Sequence, residues 1–386
     1  MNRILTACIV WLGACVLATD ELPMSSDPHA GLLRTASAAE EAGPMRFKRF
    51  SYVDREGIGI EAFSLLVPQD WQFSGGIHWI LDNPGMPARS AFTVRSPDGS
   101  EELEVFPNQP FFWTDNQLVL SALPAGARYF GCEVRPPCAG PLEALRGIVL
   151  PRFRGKAAGL KVVSQEVLPD LARALGAGSG SQPGVVNSAS AGKVRIEYTR
   201  KGLPTEEEIY GVVETVSFPV QTMSGVRTST FWYANYLFSF KAPKGKLDSR
   251  AKVFQTMTSS FRVDPQWFNK YNQLVLSLIR QQIRQIQSIG QLSRMISQTH
   301  DQISQEMLDS YNQRQQVYDR LSDNFSRHIR GVDEYYDPIE QKNVELPSGY
   351  TNVWTNPLGE YVLTDDPNFN PGVGSNLHWE RIEKTR

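Results

Sequence analysis

The sequence predicts an α+β protein, in which an antiparallel sheet sandwich flanked by helices is followed by a long amphipathic helical segment and a small β-rich C-terminal module. Three observations carry that expectation. Residues 45–263 alternate β-prone apolar runs with turn residues and a few helical stretches. Residues 264–332 place apolar side chains mostly three or four apart, with no proline between 266 and 337. From 333 onward, short β-prone runs are separated by Pro and Gly. With 386 residues there is room for roughly two or three domains. The formal net charge of −2 and the lack of a basic cluster argue against a nucleic-acid partner, because phosphate binding demands a cationic face.

The chain opens with Met1-Asn2-Arg3, an apolar run from Ile4 to Ala18, and acids at Asp20 and Glu21. One positive charge ahead of a short apolar core reads as a secretory signal over 1–18, since a membrane span needs about 20 apolar residues. Leu12-Gly13-Ala14-Cys15 resembles a bacterial lipobox, which makes Cys15 a candidate for acylation; the alternative is a plain cysteine in an apolar helix. Residues 19–44, rich in Ala, Ser, Pro and acids, read as a disordered leader.

Within 45–263, Ile58 to Val67 reads as a strand ending at Pro68-Gln69-Asp70-Trp71. Ala91 to Val94 and Leu103 to Phe106 flank the Ser96-Pro97-Asp98-Gly99 turn as a hairpin. Pro141 to Leu150 and Leu168 to Leu175 read as short helices on either side of a strand at Lys161 to Ser164. The Gly/Ser-rich stretch 176–192 reads as a mobile loop. Val194, Ile196 and Tyr198 then alternate with polar residues as a half-buried strand that turns at Lys201-Gly202. Ile209 to Val216 and Phe231 to Phe240 are long antiparallel partners, and a helix from Leu247 to Met257 precedes Ser259-Ser260-Phe261.

The order Leu65-Leu66-Val67-Pro68-Gln69-Asp70-Trp71, then Ser96-Pro97-Asp98-Gly99, then a helix and Ser259-Ser260-Phe261 resembles the sandwich of PsbP-type photosystem proteins and many bacterial lipoproteins. The resemblance covers about half the chain. It implies a PsbP-like fold in a secreted bacterial protein, with a docking or assembly role and no catalytic residue.

The segment 264–332 reads as one long helix or a helical hairpin, with Gly290 and the Thr299 to Gln302 region as the places where it could divide. Its narrow stripe, which includes Ile283, Ile286, Ile289, Leu292, Met307, Tyr311 and Leu321, must bury against something. The choices are its own second half, the preceding domain, or a second copy as a coiled coil. Residues 265–330 carry eight Lys+Arg against five Asp+Glu, and 331–386 carry four against ten, so a basic middle could pack on an acidic tail. Residues 333–386 read as a meander resting on the helix.

Four cysteines are present, and Cys132 and Cys138 are the pair outside the export signal; in an oxidising compartment they read as a disulfide closing a proline-stiffened loop, against two reduced thiols. Asp365, Asp366, Asn368 and Asn370 put oxygens at nearly alternate positions, as a calcium loop begins, but no carboxylate closes the site, and Asx-capped turns explain the run as well. None of the five histidines is paired at metal-binding spacing, no catalytic motif occurs, and no cofactor is called for. Trp113, Trp232, Tyr233 and Trp354 are candidate binding aromatics, with half-buried core as the competing reading.

The expected function is that of a non-enzymatic envelope protein, periplasmic or extracellular. It would be a binding or assembly adaptor, meeting an envelope partner or a second copy through its helical arm and sandwich domain, with membrane contact only if lipidated. The alternatives are a cell-wall hydrolase using acids such as Glu206, Glu207 or Glu360, and a protein that binds a small ligand or glycan.

Overall fold

The computed structural model describes residues 44–81, 83–174, 185–222, 225–279 and 332–385. The expected export signal, Cys15, the expected leader as far as residue 43, residues 176–184 of the Gly/Ser-rich stretch and residues 280–331 of the expected helical segment lie outside the described residues.

In chain order come strands β1 (Met45–Val53), β2 (Glu61–Pro68), β3 (Gln72–Trp79), β4 (Ala88–Arg95), β5 (Glu102–Val105) and β6 (Gln109–Thr114), then helix α1 (Gln117–Ala122). Strands β7 (Arg128–Tyr129) and β8 (Cys132–Val134) precede a helical stretch made of α2 (Pro141–Ala144), a π turn (Leu145–Val149) and α3 (Leu150–Arg154). After β9 (Ala158–Val167) and α4 (Pro169–Ala174), three long strands follow: β10 (Val186–Arg200), β11 (Leu203–Thr222) and β12 (Gly225–Pro243). Helix α5 (Leu247–Ser259), β13 (Arg262–Val263) and α6 (Pro265–Ile279) lead to β14 (Val332–Asp337), β15 (Lys342–Pro347), β16 (Asn352–Thr355), β17 (Tyr361–Thr364) and β18 (Glu380–Ile382).

These strands form a six-stranded sheet in the order β13-β2-β1-β17-β16-β18 and a larger sheet running β3-β4-β5-β12-β11-β10-β9, with β6, β8 and β7 attached beside β12. The β14-β15 hairpin is a two-stranded sheet of its own, bridged by Tyr335 to Lys384 and packed into the main core. Local chemistry sets the hairpins. Lys201 and Gly202 both take positive φ between Arg200 and Leu203, the backbone that a tight two-residue turn requires. Asp98 accepts from Ser96 Oγ and from the Ser100 N–H, which fixes the β4-β5 turn. The π turn lies where Pro151, lacking an N–H, cannot continue the ladder from Gly147.

The larger sheet is covered on both faces. On one, Leu145, Val149 and Leu150 of the helical stretch pack on Val194, Ile196, Ile209 and Leu237. On the other, Phe238 and Phe240 join Phe47 and Leu65 of the six-stranded sheet, Phe254 and Met257 of α5, and Phe268 of α6. At about 25 cal/mol per Å² of apolar surface, these two layers carry most of the driving force for folding.

The fold class differs from the α+β expectation. Among the described residues the protein is mostly β, 51% strand against 18% helical, and no long amphipathic helical segment or coiled coil is seen there. Helix α6 ends its described course at Ile279, and Val332 opens a strand where the helical segment was expected to close. The C-terminal strands join the sheet of the N-terminal residues, because β17 pairs directly with β1, Met45 opposite Leu363. Sequence pattern misjudged the balance because strands buried on both faces, such as β2 and β12, lose the alternation that marks a half-exposed strand.

Two smaller expectations also change. Residues 186–192 are strand, not loop. Their small side chains let Pro141 and Leu142 close on the sheet, since a Cβ on Gly192 would stand 3.0 Å from Glu166 O and 3.2 Å from Pro141 Cγ. The Cys132–Cys138 disulfide is not formed. Cys132 packs with Phe112, Val216 and Phe231, whereas Cys138 packs with Phe111, Ile148 and Trp232. Phe111 and Phe112 are consecutive on β6 and face opposite sides of the sheet, so the two thiols are held on opposite faces.

Candidate functional site

Strand β12 contains one residue more than its neighbour allows. Tyr210 opposes Phe238 and Val212 opposes Asn235, so that Tyr236 and Leu237 together face Gly211 alone. Tyr236 takes φ +49, a bulky residue in the left-handed region, which costs about 1–3 kcal/mol. The bulge is where β12 changes partner: Ser229 to Ala234 pair with β6, Phe238 to Lys241 pair with β5, and the Phe106 N–H reaches Leu237 O at 2.9 Å between them. Gly211 permits the close approach, because a Cβ there would lie 2.7 Å from Leu237 Cδ2 and 2.9 Å from Leu145 Cδ2.

On the face toward the six-stranded sheet the bulge opens a cavity of about 220 Å³. Its wall is apolar over most of its extent, with Phe63, Phe92, Val105, Val216, Phe231 and Phe261 among the lining residues. The rings of Phe63 and Phe92 stack at 5.1 Å, and Phe261 lies 5.3 Å from Phe63. The bulge places Asn235 and Tyr236, consecutive in sequence, on this one wall. Asn235 is 6% exposed, and its Nδ2 donates to the Glu214 carboxylate, also in the wall. Because a carboxylate only accepts, the amide orientation is set, and Asn235 Oδ1 is left buried without a hydrogen-bond partner. At the far end of the cavity wall α6 is tethered by Asp54, fully buried, which accepts from the indole N–H of Trp79 at 3.0 Å and of Trp267 at 2.9 Å.

Of the four aromatics singled out in the sequence, Tyr233 lines the cavity. Trp232 is fully buried on the opposite face, stacked on Phe111 at 4.1 Å with its Nε1 donating to Arg135 O at 2.9 Å. Trp113 packs at the Phe112 cluster, and Trp354 lies half-buried on β16 of the other sheet. The four do not form one platform. Asp366 and Asn370 accept from the backbone N–H of Asn368 and Gly372 and so cap turns, and Asp365 accepts from the Thr351 N–H across the β16-β17 pair; no group of His, Cys, Asp and Glu that could hold a metal ion is found among the described residues.

The three acids named for hydrolysis are dispersed and engaged. Glu206 pairs with Arg195 at 2.9 Å, and Glu360 accepts from Asn356 Nδ2 at 2.8 Å. Glu207, fully buried, is held by Arg154 and Tyr198 on the face that the helical stretch covers. Burial by itself would raise its carboxyl, but Lys241 and then Arg154 outweigh that and hold it at about 2, so it cannot deliver a proton near neutrality. Beside it the Lys241 ammonium sits 2.6 Å from both Glu102 and Glu104, and Arg200 reaches Glu102 at 2.7 Å. This network is closed on itself, which is structural chemistry more than reactive chemistry.

No protein-family model matches the chain, and no curated protein matches it either. Among the described residues no helix is long and apolar enough to cross a membrane. The fold and site define a mostly β protein with an apolar cavity between two sheets. Sequence reading missed Asn235 and Gly211. The one signal present was Gly211 inside an otherwise unbroken β pattern, which marks a bulge or a close approach.

Proposed function

We propose that the protein is an exported, non-enzymatic binding protein that holds a small apolar ligand in the cavity between its sheets. The cavity of about 220 Å³ carries the reading, since apolar cavities of roughly 150 Å³ already take up benzene-sized molecules. The secretory pattern of residues 1–18 supports a periplasmic or extracellular location, with a tether to the outer membrane if Cys15 is acylated. An envelope partner would then supply or receive the ligand. The hydrolase alternative loses support, because Glu206, Glu207 and Glu360 share no cleft and none lines the cavity.

The test is titration of the purified full chain with N-phenylnaphthylamine, a neutral dye that brightens in apolar surroundings. Saturable binding at one site is expected, and Val105→Trp or Ala88→Leu, each adding bulk to the cavity wall, should weaken it at least tenfold while leaving the circular dichroism unchanged. No saturation, or full binding by both variants, would overturn the proposal.

A further inference from the structure

Strand β9 ends the larger sheet, and among the described residues its one neighbouring strand is β10. It runs for 10 residues, contains no proline and is exposed over most of its length, with Val162, Val163 and Val167 among its exposed side chains. An edge of this kind offers a row of backbone N–H and C=O groups to another strand, and folded proteins blunt such edges by shortening them, by proline, or by charges and bulges. Strand β9 carries a charge of each sign and a bulge, and their placement makes it complementary to itself.

Ser164 opposes Arg195 and Val162 opposes Ile196, so Val163 is the extra residue of the bulge. Directly opposed residues of an antiparallel pair share a face. Val162, opposite Ile196, and Gln165, opposite Val194, therefore lie on the face that the helical stretch covers. Lys161, opposite Glu197, and Glu166, opposite Lys193, lie on the other face. Residues five apart on a regular strand face opposite sides, and the bulge is what brings Lys161 and Glu166 to the same one.

We infer that β9 pairs antiparallel with β9 of a second copy of this chain, about a two-fold axis between Val163 and Ser164. In this register Lys161 of each copy stands opposite Glu166 of the other, Val162 opposite Gln165, and Leu160 opposite Val167, and the two larger sheets become one. Slipping by one residue would oppose side chains from different faces. Slipping by two would keep the faces matched only in part and would remove both Lys–Glu pairs. The Glu166 side chain is 44% exposed beside Lys193 at 3.5 Å, which leaves it open to a second cation. An extended peptide could use the same edge, but nothing in that use requires Lys161 and Glu166 of one strand to complement each other.

The experiment is sedimentation equilibrium on the full chain, on Lys161→Glu and on the double variant Lys161→Glu/Glu166→Lys. Both positions are exposed, and Lys193 keeps Glu208 at 3.0 Å, so circular dichroism should be unchanged in each. The wild-type chain is expected to show a reversible monomer–dimer equilibrium within about 1–300 µM, the range that suits a small interface. Lys161→Glu sets like charges opposite each other twice per dimer and should weaken association at least about tenfold. The double variant restores both pairs with their signs exchanged and should return to within about threefold of the wild type. A wild-type chain that stays monomeric throughout would overturn the inference and leave the edge to an extended peptide. A dimer indifferent to Lys161→Glu would overturn it by placing the contact elsewhere, and so would a double variant as weak as the single one.

Discussion

Arg154 holds Glu207 by both oxygens, its Nε 2.7 Å from one and its Nη2 2.6 Å from the other, and this fork spans the helical stretch and the middle of the larger sheet. Lys241 stands behind the pair, 4.0 Å from Glu207. Replacing Lys241 with Met removes the ammonium from between Glu102 and Glu104 and leaves buried carboxylates without their main counter-charge. We expect a loss of about 3–5 kcal/mol, read as a lower urea midpoint with an unchanged slope.

The pH dependence of stability comes from the same group. Glu207 has its folded carboxyl held at about 2 against an ordinary value of 4.5, so the unfolded chain takes up its proton first. Its contribution is complete above about pH 4.5 and is lost as the pH falls toward about 2, on the order of 3 kcal/mol. Urea midpoints measured across this range should fall with acidification. In Glu207→Gln that part of the slope should flatten, and an equally steep fall in the variant would refute the assignment.

Leu237 and Leu145, on the covered face of the sheet, fill the space that a side chain at Gly211 would need. Gly211→Ala therefore forces the bulge apart, at an expected cost of about 1–3 kcal/mol from overpacking. Thermal unfolding checks the stability, and dye titration should show weaker binding as well, since the bulge shapes the cavity wall. A neutral result in both would show that the strand closes without the glycine.

The separation of Cys132 and Cys138 on opposite faces of β6 fixes the expected redox state. Alkylating the denatured protein without reductant and measuring the mass of the peptide that carries both residues should show two modified cysteines. Burial and then Glu143 push the Cys138 thiol upward, so labelling of the native protein at neutral pH should be slow at that position. An unmodified, oxidised pair would contradict the packing.

Much of the local structure could be read from residues. The turn at Ser96 to Gly99 comes from Asp98 and Gly99, and the strands on both sides of Lys201-Gly202 come from alternation. The Leu247 helix, too, lies where its pattern places it. The candidate site was harder, and of the four aromatics chosen only Tyr233 reaches the cavity. An aromatic on a strand buried on both faces gives no sign of which face it occupies, and Trp232 and Tyr233, adjacent in sequence, ended on opposite sides of one sheet. Periodicity likewise could not show that a single extra residue would turn Asn235 and Tyr236 onto the same wall.

The sequence by itself determined short-range features: the turns at Ser96 to Gly99 and at Lys201-Gly202, the strands beside them, and the Leu247 helix. Those depend on backbone preferences and on side chains within a few residues of one another. Only the tertiary structure decided that β17 completes the sheet begun by β1, that the two thiols stay apart, and that a bulge opposite Gly211 opens a cavity. Each of these depends on which distant strands pair and in what register, and register is an energy of the whole sheet that no local stretch of residues contains.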